Sequence, residues 1–262
     1  MNRGALFAQM TSISFTAIEG LPAIRQGDSL GALIAGAVER MKLRLLTGDV
    51  VIVCQKVVSK AEGRVCRLDT VTPSALARSF AERWSKDPRL VELVLSESVR
   101  VVRMDRGLLI VETGPGWVCA NAGIDESNLL AQGCAALLPL DPDRSAAQIR
   151  SEIQRLTGAI VGVLITDTFG RPWRVGLTEV CLGIAGLEPL LDLRGLKDLG
   201  GRELHHTVVA VADELASAAG LLMGKADGIP AVLVRGYPYK VREAGQTSAK
   251  ALIRDAKSDL FR

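Results

Sequence analysis

The sequence predicts a chain of the mixed α and β class, on three observations. Segments with strand character and segments with helix character interleave throughout. Short apolar runs, bounded by Gly, Pro or Asp, mark buried strands, and other stretches repeat apolar residues at a 3.6 spacing. With 262 residues, 48% of them apolar, the chain can bury roughly three quarters of its unfolded surface, as one large domain or two modest ones.

Residues 13–18 read as a strand, followed by a turn at Gly20-Leu21-Pro22. Asp28 is placed to cap a helix whose Leu30, Leu33, Ile34, Val38 and Met41 share one face. Gly48-Asp49 breaks the chain before 50–54, a continuous apolar run typical of a buried strand. Ser74 caps a second helix with Leu76, Phe80 and Trp84. Residues 99–103 and 108–112 flank an Asp105-Arg106 turn leading into Gly107, the spacing of a hairpin. After Gly114-Pro115-Gly116 come a short strand at 117–120 and a polar loop at 121–128. An amphipathic helix begins at Ser145 and carries Ile149, Ile153 and Leu156. The clearest buried strand, 159–166, ends at a polar loop over 167–174. Strands at 179–182, 207–212 and 231–234, a helix over 212–222 and an amphipathic helix from Ala244 complete the reading. Periodicity alone leaves the topology open.

Composition narrows the function. There are 32 Lys and Arg against 29 Asp and Glu, and a net charge of +3 spread along the chain argues for neither nucleic acid nor a membrane surface. Two histidines exclude a His-rich metal centre, so a metal here is expected on oxygen ligands. The five cysteines form no C-x-x-C pair and sit mostly in apolar runs, which suits reduced thiols in the cytoplasm. The first ten residues lack the apolar stretch of a secretory signal, and no run reaches the ~20 residues of a membrane span. There is no P-loop, no G-x-G-x-x-G and no G-x-S-x-G. Cys119 has no histidine to activate it, and His205-His206 fall in a polar turn.

Three segments carry chemistry. Asp167 and Thr168 follow an interior strand, where open α/β sheets bind ligands; they offer hard oxygens to Mg²⁺ or Mn²⁺, with Arg171 and Arg174 to neutralise phosphate. The other reading is a capping Asp beside a surface Arg cluster. Asp125, Ser127 and Asn128 place three oxygen-bearing side chains within four residues, and Gly123 permits close backbone approach. An Asx-rich turn capping a helix at Leu129-Leu130 would look the same. Lys56 and Lys60 offer ammonium groups to a phosphate, or form a solvated basic turn.

The segments also resemble a known family. They run from Gly20-Leu-Pro through Gly48-Asp-Val and Gln55-Lys-Val-Val-Ser-Lys-Ala-Glu-Gly-Arg64 to Asp87-Pro-Arg-Leu-Val-Glu92. Then follow Val118-Cys-Ala-Asn-Ala-Gly-Ile-Asp-Glu-Ser-Asn128, Asp141-Pro-Asp143, Ile165-Thr-Asp-Thr-Phe-Gly-Arg-Pro-Trp-Arg174, Ala212-Asp-Glu-Leu-Ala216 and Gly228-Ile-Pro-Ala-Val-Leu-Val-Arg-Gly236. In this order, over roughly 12–237, they resemble the coenzyme F420-0:L-glutamate ligases, or F420-0 gamma-glutamyl ligases. The resemblance implies an α+β, mixed-sheet, two-part fold across 1–262, forming an intertwined homodimer without a nitroreductase-like extension. It implies a GTP-dependent ligase that joins L-glutamate to coenzyme F420-0 through an acyl phosphate, with Mg²⁺ or Mn²⁺ and K⁺. Asp125, Asp167 and Thr168 would then be metal ligands. The nucleotide would be lined by Leu21, Pro22, Ala23, Ile24, Gln55, Lys60 and Asn128. A further loop would add Met223, Gly224, Lys225, Ala226, Asp227, Gly228, Ile229 and Pro230. Arg171 and Arg174 are expected to meet phosphate or the F420-0 phosphodiester. Where the family commonly reads Leu-Pro-Glu this chain has Ala23, and Lys225 replaces a Gln that ligates metal in some members. The competing classes are a metal-dependent nucleotide phosphohydrolase and a catalytically silent GTP-binding protein.

Overall fold

The computed structural model describes residues 12–129, 132–224, 227–243 and 245–259. In chain order the first elements are β1 (Ser14–Ala17), α1 (Leu30–Arg40), β2 (Val50–Cys54), α2 (Gln55–Ala61), β3 (Val65–Arg67), α3 (Ala75–Trp84) and α4 (Pro88–Ser96). Next come β4 (Ser98–Asp105), β5 (Leu108–Thr113), β6 (Val118–Ala120), β7 (Cys134–Ala136) and α5 (Pro142–Thr157). The chain then forms β8 (Gly162–Arg171), β9 (Arg174–Ala185), β10 (Leu191–Asp192), β11 (Val208–Val209), α6 (Val211–Met223) and β12 (Ala231–Arg235).

A five-stranded sheet in the order β1-β12-β2-β8-β9 carries the main core. Only β2 and β8 run parallel; the other pairs are antiparallel. Strand alternation sends Val51, Val53, Val163, Ile165 and Leu233 to the face covered by α1 and α5. Val50, Ile52, Leu164, Val232 and Val234 go to the opposite face, under α6. A sheet buried on both faces explains why its strands read as continuous apolar runs.

The crossover that a parallel pair requires is long here and contains a second packing unit. In it α3 and α4 cover the sheet β4-β5-β6 through Phe80, Val91, Val94, Leu109 and Val111. The ribbon β3-β7 packs beside it through Leu68, Leu93 and Ala135. The chain is thus mixed α and β with several separate sheets, in keeping with the α+β class. No helix among the described residues is long and apolar enough to cross a membrane.

Several expectations are corrected. Ser29, not Asp28, caps α1, because the Asp28 carboxylate accepts the Arg25 N–H at 2.8 Å instead. The hairpin loop is Arg106-Gly107, shifted by one residue; both have positive φ, and Asp105 pairs with Leu108. Helix α5 starts at Pro142 rather than Ser145, with Asp141 as its cap. Residues 167–171 are strand, not loop, because β9 pairs with β8 from Val163↔Ala185 out to Arg171↔Arg174. Residues 207–212 contribute only the two-residue β11 before α6 begins. Beyond Ala244, which lies outside the described residues, there are 3-10 turns at Ala249–Leu252 and Ala256–Ser258 rather than a helix. Leu129 is not helical, and Leu130 lies outside the described residues.

Candidate active site

Where the parallel pairing of β2 with β8 ends, at Cys54↔Thr166, the sheet opens into a cleft of about 380 Å³. Both strands run the same way, so Cys54 and, just past the pairing, Asp167 and Thr168 gather at one edge of the sheet. Helix α2 continues directly from β2 and supplies Lys56 and Lys60. Strand β9 adds Glu179, opposite Thr168 in the ladder, and the Thr168 hydroxyl donates to the Glu179 carboxylate. The segment after β1 brings Leu21, Pro22, Ala23 and Ile24; the end of α6 and the entry to β12 bring Met223, Gly224, Gly228, Ile229 and Pro230.

Asp125 reaches the cleft by a constrained loop. Asn121, Ala122 and Gly123 all hold positive φ, at 51°, 53° and 67°. A Cβ on Gly123 would lie 2.9 Å from the Leu138 side chain, so this position needs glycine for conformation and for space. Asp125 then bridges to Ala136 through two backbone hydrogen bonds, of 3.1 and 2.8 Å, which anchors its Cα. Its Oδ1 accepts the Ser127 N–H at 2.7 Å, an Asx turn. Its Oδ2 lies 2.7 Å from Lys56 Nζ, which also donates to the Ser127 hydroxyl at 2.8 Å. Burial opposes ionisation of Asp125, but the Lys56 and Ser127 hydrogen bonds outweigh it and hold the carboxyl below its usual range. Lys60 donates to the Asn128 carbonyl at 2.7 Å; burial, and then neighbouring Lys56, lower its pKa.

Most of the residues singled out in the sequence therefore meet in one place. Asp125, Asp167, Thr168, Lys60, Asn128 and the Leu21 to Ile24 segment all line the cleft. Gln55 does not; it is buried beneath, and its Oε1 accepts the Ser59 hydroxyl at 2.8 Å. Arg171 and Arg174 stand exposed at the tip of the β8–β9 hairpin, off the cleft lining. Asp227 is exposed and off the lining too, while Lys225 and Ala226 lie outside the described residues. Glu179 was missed: the strand around it was legible, but the partner across the ladder was not.

Cys54 and Cys119 are poorly placed to act as nucleophiles. Burial, with a smaller contribution from the Asp167 charge, pushes Cys54 up to about 11 and Cys119 to about 12. At pH 8 only about one Cys54 in a thousand is then thiolate, the reactive form. Cys54 should react with iodoacetamide at pH 8 at least tenfold more slowly in the folded protein than in the denatured one, read by peptide mass spectrometry. Equal rates would show an activated thiol in the cleft.

A cleft lined by carboxylates and ammonium groups beside parallel strands has the chemistry to take an anionic ligand together with a cation. Comparison with known proteins narrows the class further. Residues 20–236 match the family model described as F420-0:Gamma-glutamyl ligase. The chain is 47% identical over 252 residues to the Coenzyme F420:L-glutamate ligase of Methanothermobacter thermautotrophicus, covering 95% of this chain and 99% of that one. It is 48% identical over 241 residues to the protein of that name from Methanopyrus kandleri (91% and 93% covered). To that from Archaeoglobus fulgidus it is 47% identical over 246 residues (94% of each). The chain belongs to the F420-0:gamma-glutamyl ligase family.

Proposed function

We infer that this chain is a GTP-dependent coenzyme F420-0:L-glutamate ligase, working as a two-part unit within a homodimer. The observation that carries the reading is the convergence of Asp125, Asp167, Thr168 and Lys60 on one cleft in a member of this family. The γ-phosphoryl of GTP passes to the acceptor carboxylate of F420-0, and GDP leaves. The glutamate amine then attacks the acyl carbon, the amide forms and phosphate departs; a second round starts from the γ-carboxylate of the first glutamate. Such chemistry needs positioning and charge neutralisation rather than a protein nucleophile, which agrees with the burial that raises the Cys54 and Cys119 thiols.

Lys60 and Lys56 supply positive charge to the nucleotide phosphates, and the segments Leu21 to Ile24 and Gly228 to Pro230, which line the same cleft, contact the nucleotide. The donor set suits a hard divalent cation, because Asp125, Asp167 and Thr168 all present oxygen. Asp125 already binds one positive group, the Lys56 ammonium at 2.7 Å. Bound there, Mg²⁺ or Mn²⁺ would neutralise phosphate oxygens. Glu179 holds the Thr168 hydroxyl in place. K⁺ is part of the same proposal, with no position assigned to it.

GDP and phosphate release, followed with Mn²⁺ and GTP, should require both F420-0 and L-glutamate. Release at the same rate without acceptor would instead make the chain a nucleotide phosphohydrolase, and tight GTP binding without turnover a silent binding protein. A finer prediction concerns α6, which passes Glu179 at Gly220. A Cβ there would meet Glu179 Cγ at 2.6 Å. Gly220→Ala should therefore displace Glu179 and lower turnover about tenfold, because misplacement by a fraction of an ångström to an ångström is felt in such sites. Alanine favours the helix by roughly 0.5–1 kcal/mol over glycine, so the melting temperature should change little. Unchanged turnover would remove Glu179 from the site.

A further inference from the structure

A second cavity, of about 260 Å³, adjoins the main cleft, and Ile24 and Lys60 line both. Around the rest of its wall stand Arg25, Gln26, Gly63, Val65, Leu129 and Cys134, with no carboxylate among them. The main cleft, by contrast, carries Asp125, Asp167 and Glu179. Two neighbouring spaces thus differ in charge: the larger is rich in carboxylates, the smaller cationic at one side and apolar at the other.

The backbone fixes the cationic side. The Asp28 carboxylate accepts the Arg25 N–H at 2.8 Å, and the Asp28 N–H donates to the Arg25 carbonyl at 3.2 Å, which closes a turn. Gly27 donates to the Ala61 carbonyl at 2.9 Å and pins that turn to the end of α2, the helix that carries Lys60. Gly63, at a φ of 71°, leaves the room that Gln26 takes, since a Cβ there would lie 2.5 Å from Gln26 Nε2. Among the described residues, neither the Arg25 guanidinium nor the Gln26 amide has a hydrogen-bond or ion-pair partner. Lys60 gives one N–H to the Asn128 carbonyl at 2.7 Å and has further donors to offer. A guanidinium on an anchored turn, without a counter-charge and facing a cavity, is suited to a carboxylate.

We propose that, on the ligase reading, this second cavity receives L-glutamate, with Arg25 holding the γ-carboxylate and Lys60 the α-carboxylate. Lys60 borders both cavities and Arg25 only the smaller. A glutamate seated between them therefore carries its amine toward the main cleft, where the acyl phosphate forms. Its methylenes lie against Ile24, Val65 and Leu129. The other two substrates suit this space less well. Guanine carries N–H donors that call for a carboxylate, and the cavity has none. F420-0 must bring its carboxylate to the γ-phosphate, beside Asp125 and Asp167 in the main cleft.

Two measurements test this. In ligation assays Arg25→Ala should raise KM for L-glutamate at least about tenfold, the loss of one charged hydrogen-bond partner, while KM for GTP stays within about twofold. Arg25→Lys should recover part of that loss. The natural chain should prefer L-glutamate to L-glutamine, and Arg25→Ala should shrink the preference about tenfold, a change that a merely structural role would not produce. An unchanged preference in folded Arg25→Ala protein, or a rise in KM for GTP or F420-0 in place of glutamate, would overturn the assignment. The second measurement is saturation-transfer NMR of L-glutamate with protein holding GDP and Mg²⁺. The natural chain should transfer signal to the glutamate methylenes and Arg25→Ala should not. Absence of signal with the natural chain, or equal signal with the variant, would overturn the pocket. This readout needs no turnover: bound glutamate beside unextended F420-0 would refute the ligase reading and keep the pocket.

Discussion

Asp167→Asn will leave the fold and its melting temperature in place and reduce glutamate ligation by about a hundredfold or more. The change is nearly isosteric and falls just past the last β8 residue paired with β2, outside the apolar clusters that hold the sheet. What it removes is one of the charges gathered at the cleft, in the donor set proposed for a divalent cation. Losing one preorganised electrostatic group at a reacting centre typically costs a hundredfold to a thousandfold in turnover. Asp125→Asn should act likewise and should also release Lys56 from its 2.7 Å ion pair. Ligation rates with saturating GTP, measured beside thermal melts of the same preparations, check both. Natural turnover in a well-folded Asp167→Asn protein would remove that carboxylate from the mechanism.

The second large effect is on stability. Asp49, 2% exposed at the start of β2, takes both charged hydrogen bonds of Arg235, at 2.8 and 2.7 Å, and joins β12 to β2. It also accepts the Leu46 N–H at 2.8 Å. Arg235→Ala leaves this carboxylate buried without its counter-charge. Breaking a buried pair costs about 3–5 kcal/mol, and the partial exposure of Arg235 puts this case near the lower end, about 3 kcal/mol. For a chain of this size that corresponds to a fall of roughly 6–12 °C in melting temperature. The double change Asp49→Asn with Arg235→Met should recover part of the loss, because no unpaired charge remains. A double variant less stable than Arg235→Ala would assign the effect to packing rather than to the buried charge.

Much of the fold was legible where local signals and burial agree. The run at 50–54 is strand β2 to the residue, and Ser74 caps α3 as its spacing implied. The signal failed where distant partners decide. Helix α2 is seven residues long, too short for a period to show among its charges. It is held by buried Val58 and by the Gln55–Ser59 hydrogen bond. The arm beyond Asp167 carries Gly170 and Pro172, which locally read as loop; β9 pairs across it and extends the strand to Arg171. The helix expected from Ser145 likewise starts three residues earlier, at Pro142, where Asp141 supplies the cap. For the site, Asp125, Asp167, Thr168 and Lys60 were found from residue chemistry and resemblance. Which of them share a cleft depended on the parallel pairing of β2 with β8, and Glu179 on the ladder of β8 with β9. Neither pairing is written in local sequence.

Purified protein incubated with Mn²⁺, GTP, F420-0 and L-glutamate should yield, by mass spectrometry, F420-0 heavier by one or more glutamyl residues, with one GDP released per residue added. Unextended F420-0 in the presence of folded, nucleotide-bound protein would contradict the ligase reading.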